Sequence, residues 1–267
     1  MKKTVGFIGT GNMGGALAKA AAKSVAGEKL FLADKDGAKA ARLAKELGCA
    51  AVSADEAAQC DFVFLGIKPQ FMAQVLGDLA PVFSARTDRF VLVTMAAGLK
   101  IADIQSMAGG NYPTIRIMPN IPASVGQGVI LYDASADVTE EEVADFCTVL
   151  SAAGLLDRLP EALIDAGSAV SGCGPAFAAL FAEALADGGV ANGLPRDKAV
   201  KYAAQMLLGS AALLLETGMH PGQLKDAVCS PGGSTIAGVR ALEQGSFRAA
   251  VMDAVDAAVK RTKELGK

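Results

Sequence analysis

Six residues near the start of the chain, Gly9-Thr10-Gly11-Asn12-Met13-Gly14, restrict its fold more than any other segment. They follow an apolar, β-branched run, Thr4–Ile8, and lead into a helical pattern over Met13–Lys23. A glycine turn between strand and helix is the fingerprint of a dinucleotide-binding βαβ unit. Its first glycine makes the tight turn, its second admits a pyrophosphate to the backbone, and its third lets helix and strand pack. Asp34 closes the next strand-like run twenty residues after Gly14, where an acid that binds a ribose is expected. Ile8, Gly9, Thr10, Gly11, Asn12, Met13, Gly14 and Asp34 are therefore candidate cofactor residues, with a purely structural glycine turn as the plainer alternative.

Short apolar runs continue to about Leu159: Lys29–Ala33, Cys49–Val52, Phe62–Ile67, Phe90–Thr94, Thr114–Met118, Val129–Tyr132 and Leu155–Leu159. Helical patterns near Lys35–Leu47, Gln70–Leu79 and Glu140–Ala152 fall between them. Such alternation predicts an α/β fold, a Rossmann-type doubly wound, mostly parallel sheet covered on both faces, over residues 1–159. After Pro160 the strand signal stops, and an all-helical second domain is predicted over 160–267. Its helical patterns break at Gly188–Pro195, Thr217–Gln223 and Ser230–Thr235, with Pro195 opening a helix to about Glu216. In the last helix Phe247, Val251, Ala254, Val255, Ala258, Val259 and Leu265 share one stripe. So much apolar surface on so short a domain predicts a homo-oligomer.

Charge excludes several partners. With 25 basic and 28 acidic residues, a net charge of −3 and no basic run, neither nucleic acid nor an anionic membrane is expected. Apolar runs such as Phe90–Ala97 are shorter than the ~20 residues of a membrane-spanning helix. Met1-Lys2-Lys3-Thr4 enters the first strand without a signal peptide's apolar stretch, so a cytoplasmic location is expected. Cys49, Cys60, Cys147, Cys173 and Cys229 are widely spaced, with one histidine in the chain, and read as small buried residues; no metal site is expected.

Further cofactor candidates lie at strand ends, where open parallel sheets bind ligands. Lys68 and Pro69 end one strand, with the lysine available to phosphate or ribose oxygens. Ala96 and Ala97 end another and let a nicotinamide ring come near the backbone; Asn120 at a third offers its amide. A solvated lysine and a tight alanine turn are the bland alternatives. Asp34 favours NAD(H) because a carboxylate accepts from a ribose hydroxyl and repels a 2′-phosphate, whereas Lys35, Lys39 and Arg42 could bind that phosphate. NADP(H) stays open, and the reading leans slightly to NADH.

Ser230-Pro231-Gly232-Gly233-Ser234-Thr235 resembles a cradle for a small anion. Gly232 and Gly233 admit a ligand to the main chain, and Ile236, Val239 and Leu242 predict a helix whose N-terminal amides, of Gly233, Ser234 and Thr235, point outward. A capped helix after a glycine turn is the alternative. In Ser171–Ala176, Gly172 and Gly174 interrupt a helical pattern, either for close packing or for a nicotinamide contact. His220 reads as a loop residue.

Together these segments resemble pyrroline-5-carboxylate reductase over the whole length. The residues that carry the resemblance are Gly6–Gly14, Ile67-Lys68-Pro69, Ala96-Ala97-Gly98, Met118-Pro119-Asn120, Ser171–Ala176 and Leu224-Lys225-Asp226 through Thr235. The resemblance implies reduction of 1-pyrroline-5-carboxylate to L-proline by NADH or NADPH. It implies that Ser230, Gly232, Gly233, Ser234 and Thr235 hold the substrate carboxylate and ring nitrogen, with Glu161 near the ligand. It also implies a helical dimerisation domain, active sites where the domains meet, and dimers that sometimes form decamers. The chain departs from the family at Asp34-Lys35, where many members have Asn-Arg or Ser, and at Ser53, where some have asparagine.

A pyrroline nitrogen can arrive protonated, so a strong acid is dispensable and the Thr235 hydroxyl is the expected catalytic group, orienting the iminium or relaying a proton. A β-hydroxyacid dehydrogenase or other imine reductase is a rival, against which stands the lack of any lysine between Gly174 and Lys198. A non-catalytic NAD(P)H sensor is the rival from another class.

Overall fold

Eight short apolar runs condense into one sheet in the computed structural model, which describes residues 3–265, except the Leu265 side chain. Met1 and Lys2, part of the segment read above for an export signal, lie outside the described residues. The strands are β1 (Val5–Ile8), β2 (Leu30–Ala33), β3 (Ala50–Ala51), β4 (Phe62–Leu65), β5 (Val91–Thr94), β6 (Thr114–Met118), β7 (Gly128–Ala134) and β8 (Gly154–Arg158). Their spatial order is β3-β2-β1-β4-β5-β6-β7-β8, so the order reverses between β1 and β4. All neighbours are parallel except β6 and β7. The eight strands coincide with the predicted runs to within a few residues.

The helices between them are α1 (Asn12–Ala21), α2 (Gly37–Leu47), α3 (Ala54–Ala57), α4 (Pro69–Ala85), α5 (Ile101–Ala108), α6 (Glu140–Leu150) and α7 (Glu161–Ser171). Because the central strands are buried on both faces, they are apolar throughout rather than alternating. One face carries Phe7, Phe64, Ile115 and Ile117 into a core shared with Leu17 of α1 and Phe146 of α6. The opposite face carries Ile8, Val63, Leu65 and Leu92 against Met72, Leu76, Leu79 and Phe83 of α4 and Ile104 of α5.

Three helices of this half depart from expectation. The pattern predicts an end near Leu79, yet α4 continues through Pro81 to Ala85. Pro81 forfeits one helical hydrogen bond, but Phe83, two residues on, is buried and stacks on Phe90 at 5.4 Å between ring centroids. Burial of that ring outweighs the lost bond. Helices α3, of four residues, and α5, of eight, fall outside the predicted patterns because both are short.

The second half is helical: α8 (Gly174–Ala191), α9 (Arg196–Thr217), α10 (Pro221–Ala227), α11 (Ser234–Gln244) and α12 (Phe247–Leu265). Pro195 is the N-cap of α9 rather than its first residue, and α8 runs through Gly188 before breaking. By packing, the described residues up to Cys173 and from Ala258 onward form one unit, and Gly174–Ala257 another. Helix α7 packs with the first unit, laying Ile164 against Met118 and Leu131 of the sheet.

Within Gly174–Ala257 the buried side chains are Ala186, Ala199 and Ala203, while Leu180, Leu185, Leu208, Leu213 and Val251 are exposed. The stretch Glu161–Ala191 is long and apolar enough, by length and composition, to cross a membrane, a longer apolar segment than the sequence reading noted. Of the cysteines only Cys60 is buried, and burial pushes its thiol up to about 11. The other four are half-buried, contrary to expectation.

Phe64 is fully buried, stacked on Phe7 at 4.5 Å and facing Phe146 at 6.5 Å. Phe64→Ala is expected to lower stability by about 3–5 kcal/mol, measured by urea unfolding. A loss below about 1 kcal/mol would mean that the neighbouring rings collapse into the space.

Candidate nucleotide and substrate sites

The turn between β1 and α1 is built by main chains too close for side chains. Gly9 has φ +95, and a Cβ added there would stand 2.5 Å from the Gly66 carbonyl oxygen. On Gly14 it would stand 2.1 Å, and on Gly66 2.2 Å, from the Gly9 carbonyl oxygen. Gly11 differs: its φ of −60 and ψ of −168 suit any residue, and a Cβ there would meet nothing within 4 Å. Neither conformation nor packing within the chain calls for glycine at this position. The position is the N-cap of α1, and no side chain caps the helix there.

Asp34 lies beside this turn, its side chain 12% exposed. Its Oδ2 accepts from the Thr10 amide at 2.7 Å and the Thr10 hydroxyl at 3.0 Å, and its Oδ1 accepts from the Asp36 amide at 3.1 Å. Burial disfavours the charge, but the bonds from Asp36 and Thr10, with Lys39 nearby, outweigh it and hold this carboxyl below its ordinary value. A cavity of about 310 Å³ opens next to the turn, lined by Thr10, Gly11 and Asn12 and by Lys19, Lys39 and Arg42. Lys19 is paired with Glu46 at 2.7 Å, whereas Arg42 has no hydrogen bond or ion pair among the described residues. Ile8 is buried in the sheet, while Asn12 is exposed and Met13 half-exposed.

The other strand ends gather along the same edge. Lys68 is the exposed N-cap of α4, with Pro69 at its first turn. Ala96 is buried and Ala97 half-buried in the loop after β5, which turns through Gly98 at φ +78. Asn120 is 6% exposed and works as a brace: its Nδ2 donates to the Ser171 carbonyl at 2.8 Å, and its Oδ1 accepts from the Val129 amide at 2.9 Å. One amide hydrogen of Asn120 is left for a ligand.

Glu161 begins α7, its own amide donating to Asp133 Oδ2 at 2.6 Å. Its Oε1 accepts from the Ile101 amide at 2.7 Å, tying α7 to the start of α5 just beyond the Ala96-Ala97-Gly98 loop. The same oxygen lies 3.4 Å from Arg116, whose other nitrogen donates to Asp165 at 2.6 Å. Arg116 is only 2% exposed, and its Nε has no partner. Sequence reasoning missed Arg116, Asp133 and Asp165. The signal was a charge in the middle of the apolar strand Thr114–Met118, since a buried arginine needs paired acids.

In the helical unit, Ser230-Pro231-Gly232-Gly233 forms a type II turn: the Gly233 amide donates to the Ser230 carbonyl at 3.0 Å, and Gly232 has φ +68. The Gly233 amide therefore closes the turn and does not point outward as expected. Gly233 is the N-cap of α11 without a side-chain cap. The amides of Ser234 and Thr235, and the hydroxyls of Ser230, Ser234 and Thr235, have no partner among the described residues. His220 caps α10, its Nδ1 accepting from the Gly222 amide at 3.1 Å. A Cβ on Gly172 would stand 2.8 Å from the Ser168 carbonyl oxygen, whereas one on Gly174 would meet nothing within 4 Å.

Two substitutions separate packing from binding. Gly11→Ala is expected to leave the melting temperature near wild type but to weaken dinucleotide binding by about 1–3 kcal/mol, roughly five- to a hundredfold. Calorimetric titration checks this; unchanged affinity would remove Gly11 from the cofactor site. Glu161→Ala, which frees the Ile101 amide and unbalances Arg116, is expected to raise the cofactor KM by about 1–3 kcal/mol, with Glu161→Gln closer to wild type. A rise confined to the substrate KM would instead place Glu161 against the substrate.

Comparison with known proteins identifies the family. The family model "Pyrroline-5-carboxylate reductase dimerisation" matches residues 161–265, and "NADP oxidoreductase coenzyme F420-dependent" matches 4–98. The pyrroline-5-carboxylate reductase of Escherichia coli (strain K12) is 40% identical over 271 aligned residues, covering 100% of both chains. Among solved structures, a pyrroline-5-carboxylate reductase from Coxiella burnetii superposes with a TM-score of 0.92 at 29% identity over 100% of both chains. The Plasmodium falciparum pyrroline carboxylate reductase, solved with NADP bound, gives 0.86 at 32% identity over 100% of this chain and 99% of its own. With 40% identity sustained from end to end, the chain belongs to the pyrroline-5-carboxylate reductase family.

Proposed function

We propose that the Ser230–Thr235 loop holds the carboxylate of 1-pyrroline-5-carboxylate and that Thr235 orients its ring nitrogen. The chain is an NAD(P)H-dependent pyrroline-5-carboxylate reductase that forms L-proline, the last step of proline biosynthesis. The observation that carries the substrate assignment is the type II turn at Ser230–Gly233, which leads into α11 with the Ser234 and Thr235 amides and three hydroxyls unpaired. That set suits a carboxylate: it offers donors, at the positive end of a helix of 11 residues, with no acid among them.

When bound, the dihydronicotinamide supplies the hydride. The chain supplies position. Gly9, Gly11 and Gly14 with the first amides of α1 take the pyrophosphate, Asp34 the adenosine ribose, and Lys68 and Pro69 the phosphate and ribose oxygens beyond. Ala96, Ala97 and the remaining amide hydrogen of Asn120 leave room for the carboxamide ring. The Thr235 hydroxyl donates to, or accepts from, the ring nitrogen according to its protonation. An imine that arrives as the iminium needs alignment rather than a strong acid, in keeping with a chain of one histidine. The carboxylate of Asp34 favours NADH over NADPH.

We also propose a homodimer, with a decamer as a further assembly, in a soluble cytoplasmic enzyme. The support for self-association is an apolar groove of about 410 Å³ in the helical unit, lined by Phe177, Leu180, Phe181, Leu242, Phe247 and Val251. Free cysteines among the described residues support a reducing compartment.

Thr235→Ala is expected to lower kcat/KM for the imine about ten- to a hundredfold, the loss of one well-placed hydrogen bond, with dinucleotide affinity unchanged. The readout is consumption of dihydronicotinamide absorbance with pyrroline-5-carboxylate, a six-membered cyclic imine and a 2-oxo acid in parallel. Full activity of the variant removes Thr235 from the reaction. A loss beyond a few hundredfold, within the 10²–10⁴ range of general acid catalysis, makes it the proton donor.

A further inference from the structure

We infer that Thr10 is a positioning residue for cofactor choice: it fixes the Asp34 carboxylate through both its amide and its hydroxyl, in an orientation that leaves one acceptor position for a ribose hydroxyl and opposes a 2′-phosphate. The inference rests on the NADH preference proposed above and explains how this chain enforces it.

A carboxylate on a loop can swing away from an incoming phosphate, and a nearby cation can draw it off. Neither is open to Asp34. Its Oδ2 is occupied twice by Thr10, at 2.7 and 3.0 Å, and its Oδ1 once by the Asp36 amide at 3.1 Å. A carboxylate oxygen accepts two hydrogen bonds, so one position is left, on Oδ1. That position is an acceptor only, which suits a hydroxyl and not a phosphate.

Thr10 itself is 2% exposed, so its hydroxyl is sheltered from water that would compete for the bond. The turn dictates the Thr10 amide whatever the side chain, but the hydroxyl bond exists only with threonine or serine at this position.

The surrounding cations do not undo the arrangement. Lys39 stands 4.0 Å from the same Oδ2, beyond hydrogen-bond distance but close enough to be partly neutralised by it. Lys35 lies over the Phe71 ring at 5.5 Å, and Lys19 is paired with Glu46. Arg42 alone lines the cavity without a partner. A single exposed guanidinium is a weak site for a group carrying close to two negative charges. If Thr10 lost its hydroxyl, Asp34 would be freer to turn toward Lys39, and Arg42 would then meet the 2′-phosphate with less opposition.

The test is direct binding of NADH and of NADPH to the intact protein without imine, followed by dihydronicotinamide fluorescence, together with kcat/KM for each. Wild type is expected to bind NADH more tightly. Thr10→Val should lower the NADH-to-NADPH affinity ratio about three- to tenfold, chiefly by improving NADPH, and Thr10→Ser should restore it. Asp34→Asn gauges the underlying reading and should shift the ratio at least as far.

If wild type binds NADPH more tightly, or Asp34→Asn leaves the ratio unchanged, the NADH reading fails and this inference with it. If Asp34→Asn shifts the ratio while Thr10→Val does not, the Thr10 inference alone is overturned. Should the valine variant melt below the assay temperature, Thr10→Ala, which also lacks the hydroxyl, is held to the same prediction.

Discussion

The nucleotide edge depends on the mutual approach of three main chains at Gly9, Gly14 and Gly66. Each glycine occupies space that a side chain on it would take from another's carbonyl, at distances of 2.1 to 2.5 Å. The first strand, the first helix and the end of the fourth strand are thereby locked at the point where strand order reverses. That reversal leaves a crevice at the carboxyl ends of the strands. Gly11 is the fourth glycine of the turn and the one whose missing side chain serves no neighbour, which is why the proposal gives it to the pyrophosphate.

A second constraint acts beneath the loop after β5. Arg116 projects from β6 on the face opposite Ile115 and Ile117, because residues one apart on a strand point to opposite sides. It reaches Glu161 and Asp165 of α7, and Glu161 in turn holds the first amide of α5. One buried charge thus joins a strand, the helix that ends the sheet unit and the loop predicted to meet the nicotinamide. Burying a guanidinium is costly unless its bonds are satisfied, and here the Nε is not. Retaining it despite that cost points to a positional role rather than a contribution to stability.

Most of the α/β half was legible because its signals are local. Eight apolar runs bounded by glycine and helical patterns became eight strands, and the glycine fingerprint fell between β1 and α1. What was not legible depended on partners distant in sequence. Whether Pro81 ends a helix is decided by Phe90, which stacks on Phe83. That Glu161 accepts from the amide of Ile101, sixty residues away, is set by the fold and not by its neighbours in sequence. The Ser230–Thr235 segment was recognisable as a turn before a helix, but its hydrogen bond from Gly233 to Ser230 reassigns one of the three amides expected to face outward. Asp34 was read as a ribose acceptor from its spacing alone; that Thr10 occupies one of its oxygens twice requires the folded turn.

The helical unit has an interior made only of Ala186, Ala199 and Ala203 among its buried residues, so it has little to collapse around. A methyl group contributes about 0.8 kcal/mol on burial, far below the conformational entropy that some eighty ordered residues must offset. Its larger apolar side chains, Leu180, Phe247 and Val251 among them, stay exposed in the single chain. If a second copy covers this face, as proposed above, the stability of the unit rises with the number of chains present, and chains not yet paired expose a sticky surface.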